Sequence, residues 1–254
     1  MTDFIAVIPA RAASTRLPGK MLADLAGKPL VIHTAERARA SEASRVIIAT
    51  DDRHIEDCAR QHGFETLLTR EDHPSGTDRL AEVANKLGFA DTQIVVNVQG
   101  DEPLIDPELI NQTAHALACH PEASIATCAY SISSSEQFFN PNVVKVVRDT
   151  KGFAIYFSRA PIPWARDAFN LDRSQLPPSF SALHHIGMYA YRSFFLKQFP
   201  LLAQGTLETT EALEQLRALE HGHKIYVLQT PQAPLAGVDT QEDLERVRYF
   251  LENR

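Results

Sequence analysis

The sequence predicts an α/β protein whose first half is an open parallel sheet and whose second half adds a mixed or antiparallel extension. Short apolar runs at 4–8, 46–49 and 94–98 have the length and composition of strands buried on both faces. Helical patterns at 30–40, 55–62 and 77–87 lie among them, giving a βαβ alternation. From residue 124 onward, strand-like runs follow one another with few helices between them, the pattern of strands that pair antiparallel.

The first run is rich in β-branched and aromatic residues, and Pro9 marks its expected end. Thr50-Asp51-Asp52 and Ser75-Gly76-Thr77-Asp78 place oxygen-bearing caps before two of the helices. Each strand therefore leaves into a loop and a helix N-terminus, where open α/β sheets bind ligands. Further strands are expected at 124–132, 143–148, 153–158 and 185–191. Pro161, Pro163, Pro177 and Pro178 bracket a polar stretch, 165–175, that reads as a long mobile loop. Residues 208–220 return to helical spacing, with Leu213, Leu216 and Leu219 as a core stripe, and 224–230 reads as another strand. Thr240-Gln241-Glu242-Asp243 opens a charged last helix with a capping-box pattern.

A chain of 254 residues with 44% hydrophobic content can bury one substantial core. The formal charge of -7 disfavours a nucleic acid polymer as partner, because such binders present a basic face to the phosphates. No window approaches the roughly 18 consecutive apolar residues of a membrane span. Met1-Thr2-Asp3 lacks the basic start of a signal peptide, so a cytoplasmic location without membrane contact is expected. Cys58, Cys119 and Cys128 are odd in number and follow no CxxC spacing; they read as buried small hydrophobes.

Chemistry concentrates in the loop 9–20, directly after the first strand. Arg11, Arg16 and Lys20, with Lys28 beyond, gather positive charge in an otherwise acidic chain, while Ser14, Thr15 and small alanines leave backbone N–H groups accessible. That composition suits a triphosphate cradle, and a solvated basic loop is the competing reading. Neither G-x-x-x-x-G-K-[ST] nor G-x-G-x-x-G occurs, which disfavours ATPases and dehydrogenases. At Val98-Gln99-Gly100-Asp101-Glu102-Pro103 a strand ends in glycine and a carboxylate, so Asp101 stands where a hard cation would bridge phosphates; it also reads as a turn or cap residue. Asp239, in Gly237-Val238-Asp239-Thr240, is either a second metal carboxylate or the N-cap of the last helix.

Several motifs resemble the 3-deoxy-manno-octulosonate (KDO) cytidylyltransferases: P-A-R-x-x-S-T-R-L-P-G-K at 9–20, S-G-T-D-R at 75–79, N-V-Q-G-D-E-P at 97–103 and F-N-P-N-x-V-K-V-V at 139–147. So do Y-F-S-R-A-x-I-P-W at 156–164, H-x-G-x-Y at 185–189, L-E-Q-L-R at 213–217 and G-V-D-T-x-E-D-L-E-R-V-R at 237–248. The first and third motifs recur in other sugar nucleotidyltransferases, whereas the later ones are specific to this branch. The resemblance implies a nucleotide-diphospho-sugar transferase (Rossmann-like) fold, with an antiparallel extension for dimerisation, and a homodimer. It implies one cytidylyltransferase domain over 1–254, with a nucleotide-binding part at 1–123 and a sugar-binding and dimerisation part at 124–254.

The implied reaction joins CTP and KDO to give CMP-KDO and pyrophosphate, activating KDO for lipopolysaccharide synthesis. By matching position, Arg11, Ser14, Arg16 and Lys20 hold the triphosphate, and Ser75, Arg79 and Gln99 lie near cytosine and ribose. Asp101 and Asp239 bind Mg2+ and, with Lys20, form the catalytic set. Arg159, Arg166, His185, Tyr189, Glu214 and Gln215 line the sugar pocket. Taken alone, His185 reads as a packed strand histidine and Glu214 as a solvated helix face. Rival readings are a cytidylyltransferase for sialate or an amino-KDO analogue, and a non-catalytic nucleotide sensor, which needs neither Asp101 nor Asp239.

Overall fold

The computed structural model describes residues 2–14, 16–235 and 237–253. Its centre is β1 (Phe4–Ala10), which pairs in parallel with β4 (Arg45–Thr50) on one side and β6 (Ile94–Asn97) on the other. Between β1 and β4 run a small hairpin, β2 (Asp24–Leu25) with β3 (Lys28–Pro29), and helix α1 (Leu30–Arg39). Helix α2 (Arg53–Gln61) leads to β5 (Glu65–Leu68), parallel to β4, and α3 (Gly76–Lys86) leads to β6. Both caps read from the sequence are in place: the Asp52 carboxylate accepts from the His54 and Ile55 amides, and the Ser75 hydroxyl from the Asp78 amide.

The second half joins the same sheet. Helix α4 (Pro107–Cys119) precedes β7 (Ile125–Ser131); α5 (Ser135–Phe139), β8 (Lys145–Arg148), β9 (Ala154–Ser158) and α6 (Arg166–Leu171) follow. The long β10 (Leu183–Arg192) lies antiparallel between β6 and β7, and also pairs antiparallel with β8, which pairs with β9. Helices α7 (Ser193–Gln198), α8 (Thr206–Glu211) and α9 (Gln215–Glu220) lead to β11 (Ile225–Thr230), parallel to β7, and α10 (Gln241–Glu252) closes the chain. Among the described residues, nine strands thus form one mixed sheet, as the sequence predicts. Buried side chains cover both of its faces, Ile8, Ile48 and Val96 in one cluster and Val7, Ile47 and Val95 in the other, which is why these strands read as continuous apolar runs.

Several expectations need correction. Pro9 does not end β1: it pairs with Ala49 inside the parallel register, and the strand continues to Ala10. The 107–119 helix and the 65–68 strand had no counterpart in the sequence reading, although Asp106 caps α4 and Pro107 occupies its first turn. The second half also holds more short helices than its sequence suggests. Of the cysteines, all unpaired, Cys128 alone is buried; Cys58 is half-buried and Cys119 exposed. No helix among the described residues is long and apolar enough to cross a membrane.

Two corrections bear on the site. The predicted helix at 208–220 is broken at Ala212, whose φ of 50° is left-handed. The Glu211 carboxylate accepts from the Ser158 hydroxyl (2.6 Å) and the Arg159 amide (2.9 Å), tying the end of α8 to the end of β9 and turning the chain before α9. The stretch 165–175 is not simply a loop, because it holds α6, anchored by the buried Phe169. That ring packs on Phe138 and Phe180 with centroids 5.4 and 5.3 Å away, a satellite core that also includes Ile132 and Ala182. Deleting a buried phenylalanine ring costs about 3–5 kcal/mol. Phe169→Ala is therefore expected to lower the thermal midpoint and to open 165–175 to limited proteolysis; an unchanged digestion pattern would refute the anchoring role.

Candidate active site

Strand order reverses around β1, whose neighbours β4 and β6 lie on opposite sides, so the carboxyl ends of β1 and β6 flank a crevice of the kind in which open α/β sheets bind ligands. A groove of about 580 Å³ opens there. Arg11, Ser14, Arg16 and Lys20 line one wall, Ser75 and Arg79 another, and Gln99, Asp101, Glu214 and Asp239 complete it. Thr15, counted in the basic loop from the sequence, lies outside the described residues.

Glycines set the groove's shape. Gly19 turns the basic loop at φ 69° just before a short 3₁₀ turn (Lys20–Leu22) that brings the Lys20 side chain inward. At Gly100 a Cβ would stand 2.8 Å from the Pro9 carbonyl, so only glycine lets the chain beyond β6 pass this close to the end of β1.

At the floor, the nearly buried Lys20 Nζ lies 2.6 Å from Asp101 Oδ2 and 3.2 Å from Asp239 Oδ1, and Arg16 reaches the same Asp239 oxygen at 3.1 Å. Asp239 is not the N-cap of α10. Thr240 fills that position, its hydroxyl accepting from the Asp243 amide in a full capping box, which leaves the Asp239 carboxylate facing the groove. Beside them, burial and then the charges of Asp101 and Asp239 push the Glu102 carboxyl up to about 7. Oxygen donors with excess negative charge are what a hard divalent cation requires. No group of three or more His, Cys, Asp or Glu among the described residues is arranged to hold a metal alone, so the chain offers two carboxylates and leaves remaining positions to ligand oxygens or water.

Arg79 lines the groove with its charge already engaged. Its guanidinium donates to Asp51 Oδ2 at 2.6 Å and to the Thr69 hydroxyl, while Asp51 Oδ1 accepts from the Ala12 amide at 2.9 Å. Arg79 and Asp51 therefore brace the basic loop against the end of β4. Gln99 Nε2 donates to the Gly187 carbonyl at 3.5 Å, where a register shift in β10 between Ile186 and Tyr189 exposes that glycine to the groove. His73 also lines the groove, paired with Glu82. Sequence reasoning gave no site role to Asp51, Glu102, His73 or Gly187, although Asp51 stands in Thr-Asp-Asp after a strand and Glu102 and Gly187 lie within motifs that the sequence carries.

A second, smaller pocket of about 160 Å³ adjoins the groove, sharing Gly76, Gln99 and Glu214 with it. Tyr189 and Gln215 line this pocket, with Asn97, Thr77 and Tyr191. Burial pushes the Glu214 carboxyl up, opposed by the Thr77 and Ser75 hydroxyls. Three residues expected in a sugar pocket line neither cavity. Arg159 donates from Nε to the Glu211 carbonyl at 2.7 Å, Arg166 is exposed on α6 beside Asp167, and His185 is buried against Thr127 and the Phe157 ring.

A family model described as cytidylyltransferase matches residues 5–225. The chain belongs to the cytidylyltransferase family. It is similar to a solved structure of CMP:2-keto-3-deoxy-manno-octonic acid synthetase complexed with CTP, at 39% identity and TM-score 0.90, covering 99% of each chain. A cytidylyltransferase from Leptospira borgpetersenii serovar Hardjo-bovis (strain JB197) shares the fold at 16% identity and TM-score 0.61, with 100% of this chain and 88% of that one covered. These likenesses bear out the fold and the branch that the motifs indicated, and make the chain a nucleotidyltransferase.

Burial, and then the neighbouring His184, push the His185 imidazole down to about 3, so it stays neutral in the fold while an unfolded chain takes up a proton near 6.5. The unfolded state then binds more protons between about 6.5 and about 3, and stability falls as pH falls through that window. His185→Gln is expected to flatten the decline in chemical-denaturation midpoints over this range; an identical slope would assign the acid sensitivity to other groups.

Proposed function

We propose that this chain transfers CMP from CTP to 3-deoxy-D-manno-octulosonate, releasing pyrophosphate. One observation carries the reading: a cationic groove, with Lys20 clamped between Asp101 and Asp239 at its floor, opens directly into a polar pocket that holds no cationic side chain among the described residues. The first suits a triphosphate and the second a polyhydroxylated acceptor. The 39% identity over nearly the whole chain to a synthetase solved with CTP supports the same assignment.

In this reading Arg11, Ser14, Arg16 and Lys20 hold the triphosphate, while Ser75, Arg79 and Gln99 face the cytidine. Tyr189, Glu214 and Gln215 face the sugar. Arg159, Arg166 and His185 are assigned to the sugar on the family resemblance. The anomeric hydroxyl oxygen attacks the α-phosphorus as the bond to the bridging oxygen breaks; pyrophosphate takes the electron pair and the hydroxyl proton is lost to solvent. Arg16 and Lys20 offset the charge that grows on that leaving group. Asp101 and Asp239 fit Mg2+, which when bound supplies charge neutralisation to the phosphates. A homodimer formed through β8 and β9, whose edge exposes Ile155, a cytoplasmic location and a role in lipopolysaccharide synthesis belong to the same proposal.

Asp101→Asn and Asp239→Asn each keep side-chain size but remove a charged oxygen, and each is expected to lower pyrophosphate release roughly 10²-fold or more with the thermal midpoint near wild type. Near-normal release from both variants would overturn the metal assignment. A panel of KDO, its amino analogue and sialate separates the sugar-acid readings; preference for sialate would replace KDO in the proposal.

Base selection gives a second test. In this reading Ser75 and Gln99 offer hydrogen bonds to the cytosine, and the polar groups a wrong base leaves unpaired penalise it, so CTP is expected to exceed ATP and GTP by about 10⁴ in kcat/KM. Equal turnover of ATP and CTP would refute it.

A further inference from the structure

Helices α8 and α9, six residues each, form a corner whose two arms are locked together. Arg217 on α9 donates to both Glu208 carboxylate oxygens on α8, at 2.6 and 2.7 Å, and both residues are buried. At the far end of α9 the Glu220 carboxylate accepts from the Leu207 and Glu208 amides in the first turn of α8. Between the arms stands Ala212 at φ 50°, a left-handed conformation that is unfavourable for a residue with a Cβ and persists only where its surroundings fix it. Immediately beyond Leu213, Glu214 and Gln215 line the small pocket beside the groove.

Apolar packing through Leu213, Leu216 and Ala218 holds this corner against the sheet, but burial is non-directional and does not by itself fix how the corner is turned. Hydrogen bonds are directional, and those that join the corner to β9 converge on Glu211. Its carboxylate accepts from the Tyr156 hydroxyl at 3.2 Å, the Ser158 hydroxyl at 2.6 Å and the Arg159 amide at 2.9 Å. In the other direction Arg159 donates from Nε to the Glu211 carbonyl at 2.7 Å and from Nη2 to the Ala212 carbonyl at 3.4 Å, pairing carbonyls that the end of α8 leaves free. The strand side is itself fixed, because the fully buried Lys145 donates from Nζ to the Arg159 carbonyl at 2.6 Å and to the Val143 and Asn140 carbonyls. Burial alone would raise the Glu211 carboxyl, but the donors Ser158, Arg159 and Tyr156 outweigh it and hold the carboxyl below its usual range, so the clasp stays ionised at neutral pH.

We propose that Glu211 is a positioning residue for the acceptor: it clasps the α8–α9 corner to β9 and thereby sets where Glu214 and Gln215 stand in the pocket. Glu211 lines neither cavity, so it acts through those two side chains. The inference rests on the reading of the chain as a transferase whose acceptor is a sugar acid. The clasp distinguishes the two substrates, because the basic loop that carries Arg11, Arg16 and Lys20 is braced elsewhere, by Asp51 and Arg79.

The test is the KM for each substrate in pyrophosphate release. Glu211→Ala is expected to raise the KM for KDO roughly tenfold or more, the scale on which a displaced binding group weakens a ligand, with the KM for CTP within about twofold of wild type. Glu211→Gln, which keeps an oxygen for the two hydroxyls, should recover part of that loss. Ser158→Ala alone should raise the KM for KDO by a smaller factor and add nothing in the Glu211→Ala background, because residues that act through one contact are not additive. An unchanged KM for KDO in Glu211→Ala, an equal rise for both substrates, or full additivity with Ser158→Ala would overturn the proposal. Amide hydrogen exchange over 208–220, measured without substrate, reads the clasp independently of the reaction: faster exchange in Glu211→Ala is expected, and exchange at the wild-type rate would also overturn the proposal. If Glu211→Ala does not fold, Glu211→Gln and Ser158→Ala decide by the same KM split. A wild type that uses sialate and not KDO would replace the proposed substrate, and the split is then read with sialate.

Discussion

The ammonium of Lys20, desolvated and held between Asp101 and Asp239, is the contact on which the geometry of this site depends. It joins three stretches far apart in the chain: the basic loop after β1, the turn after β6 and the residues before α10. Lysine is rarely buried unless paired, and here two partly hydrated carboxylates share one cation. Three carboxylates crowd this floor against Lys20 and Arg16. The surplus shows in Glu102, whose carboxyl is raised by burial and by these two neighbours. A site so arranged is poised to accept further positive charge while presenting Arg11 and Arg16 to an anionic ligand.

Backbone geometry makes that contact possible. Gly100 allows the end of β6 to pass against the Pro9 carbonyl, and the Asp101 carbonyl accepts from the Val238 amide at 2.8 Å, bringing the last loop beside the turn. The Thr240 capping box then starts α10 one residue after Asp239 and frees that carboxylate from helix duty. On the far side, Arg79 and Asp51 brace the basic loop through the Ala12 amide. The loop is positioned by a buried ion pair, so Arg79 and Asp51 govern where its cations point.

The two cavities divide the work by charge. The groove carries the cations, and the adjoining pocket carries only neutral polar groups, a carboxyl and aromatic rings. This division follows from the sheet. The antiparallel β10 lies beside β6, so Tyr189 and Tyr191 stand over the strand that ends in Asn97 and runs into Gln99 and Asp101. The break at Ala212 turns α9 so that Glu214 and Gln215 close the other wall.

Parallel strands at β1, β4 and β6, the caps Asp52 and Ser75, the capping box at Thr240, the basic loop and the strand-end carboxylate were legible in the sequence. Each is a local pattern: apolar runs report burial on both faces, and caps satisfy helix amides within a few residues. Tertiary structure decided the rest, because it depends on contacts between distant segments. Whether Asp239 caps a helix or faces Lys20 turned on where residue 239 meets residue 20. The break in 208–220 came from Glu211 reaching Ser158 and Arg159, and the fold of 165–175 from Phe169 meeting Phe138 and Phe180. Asn97 reads in the sequence as one more strand residue; only the packing of β10 and α9 around it leaves its side-chain oxygen buried and unpaired.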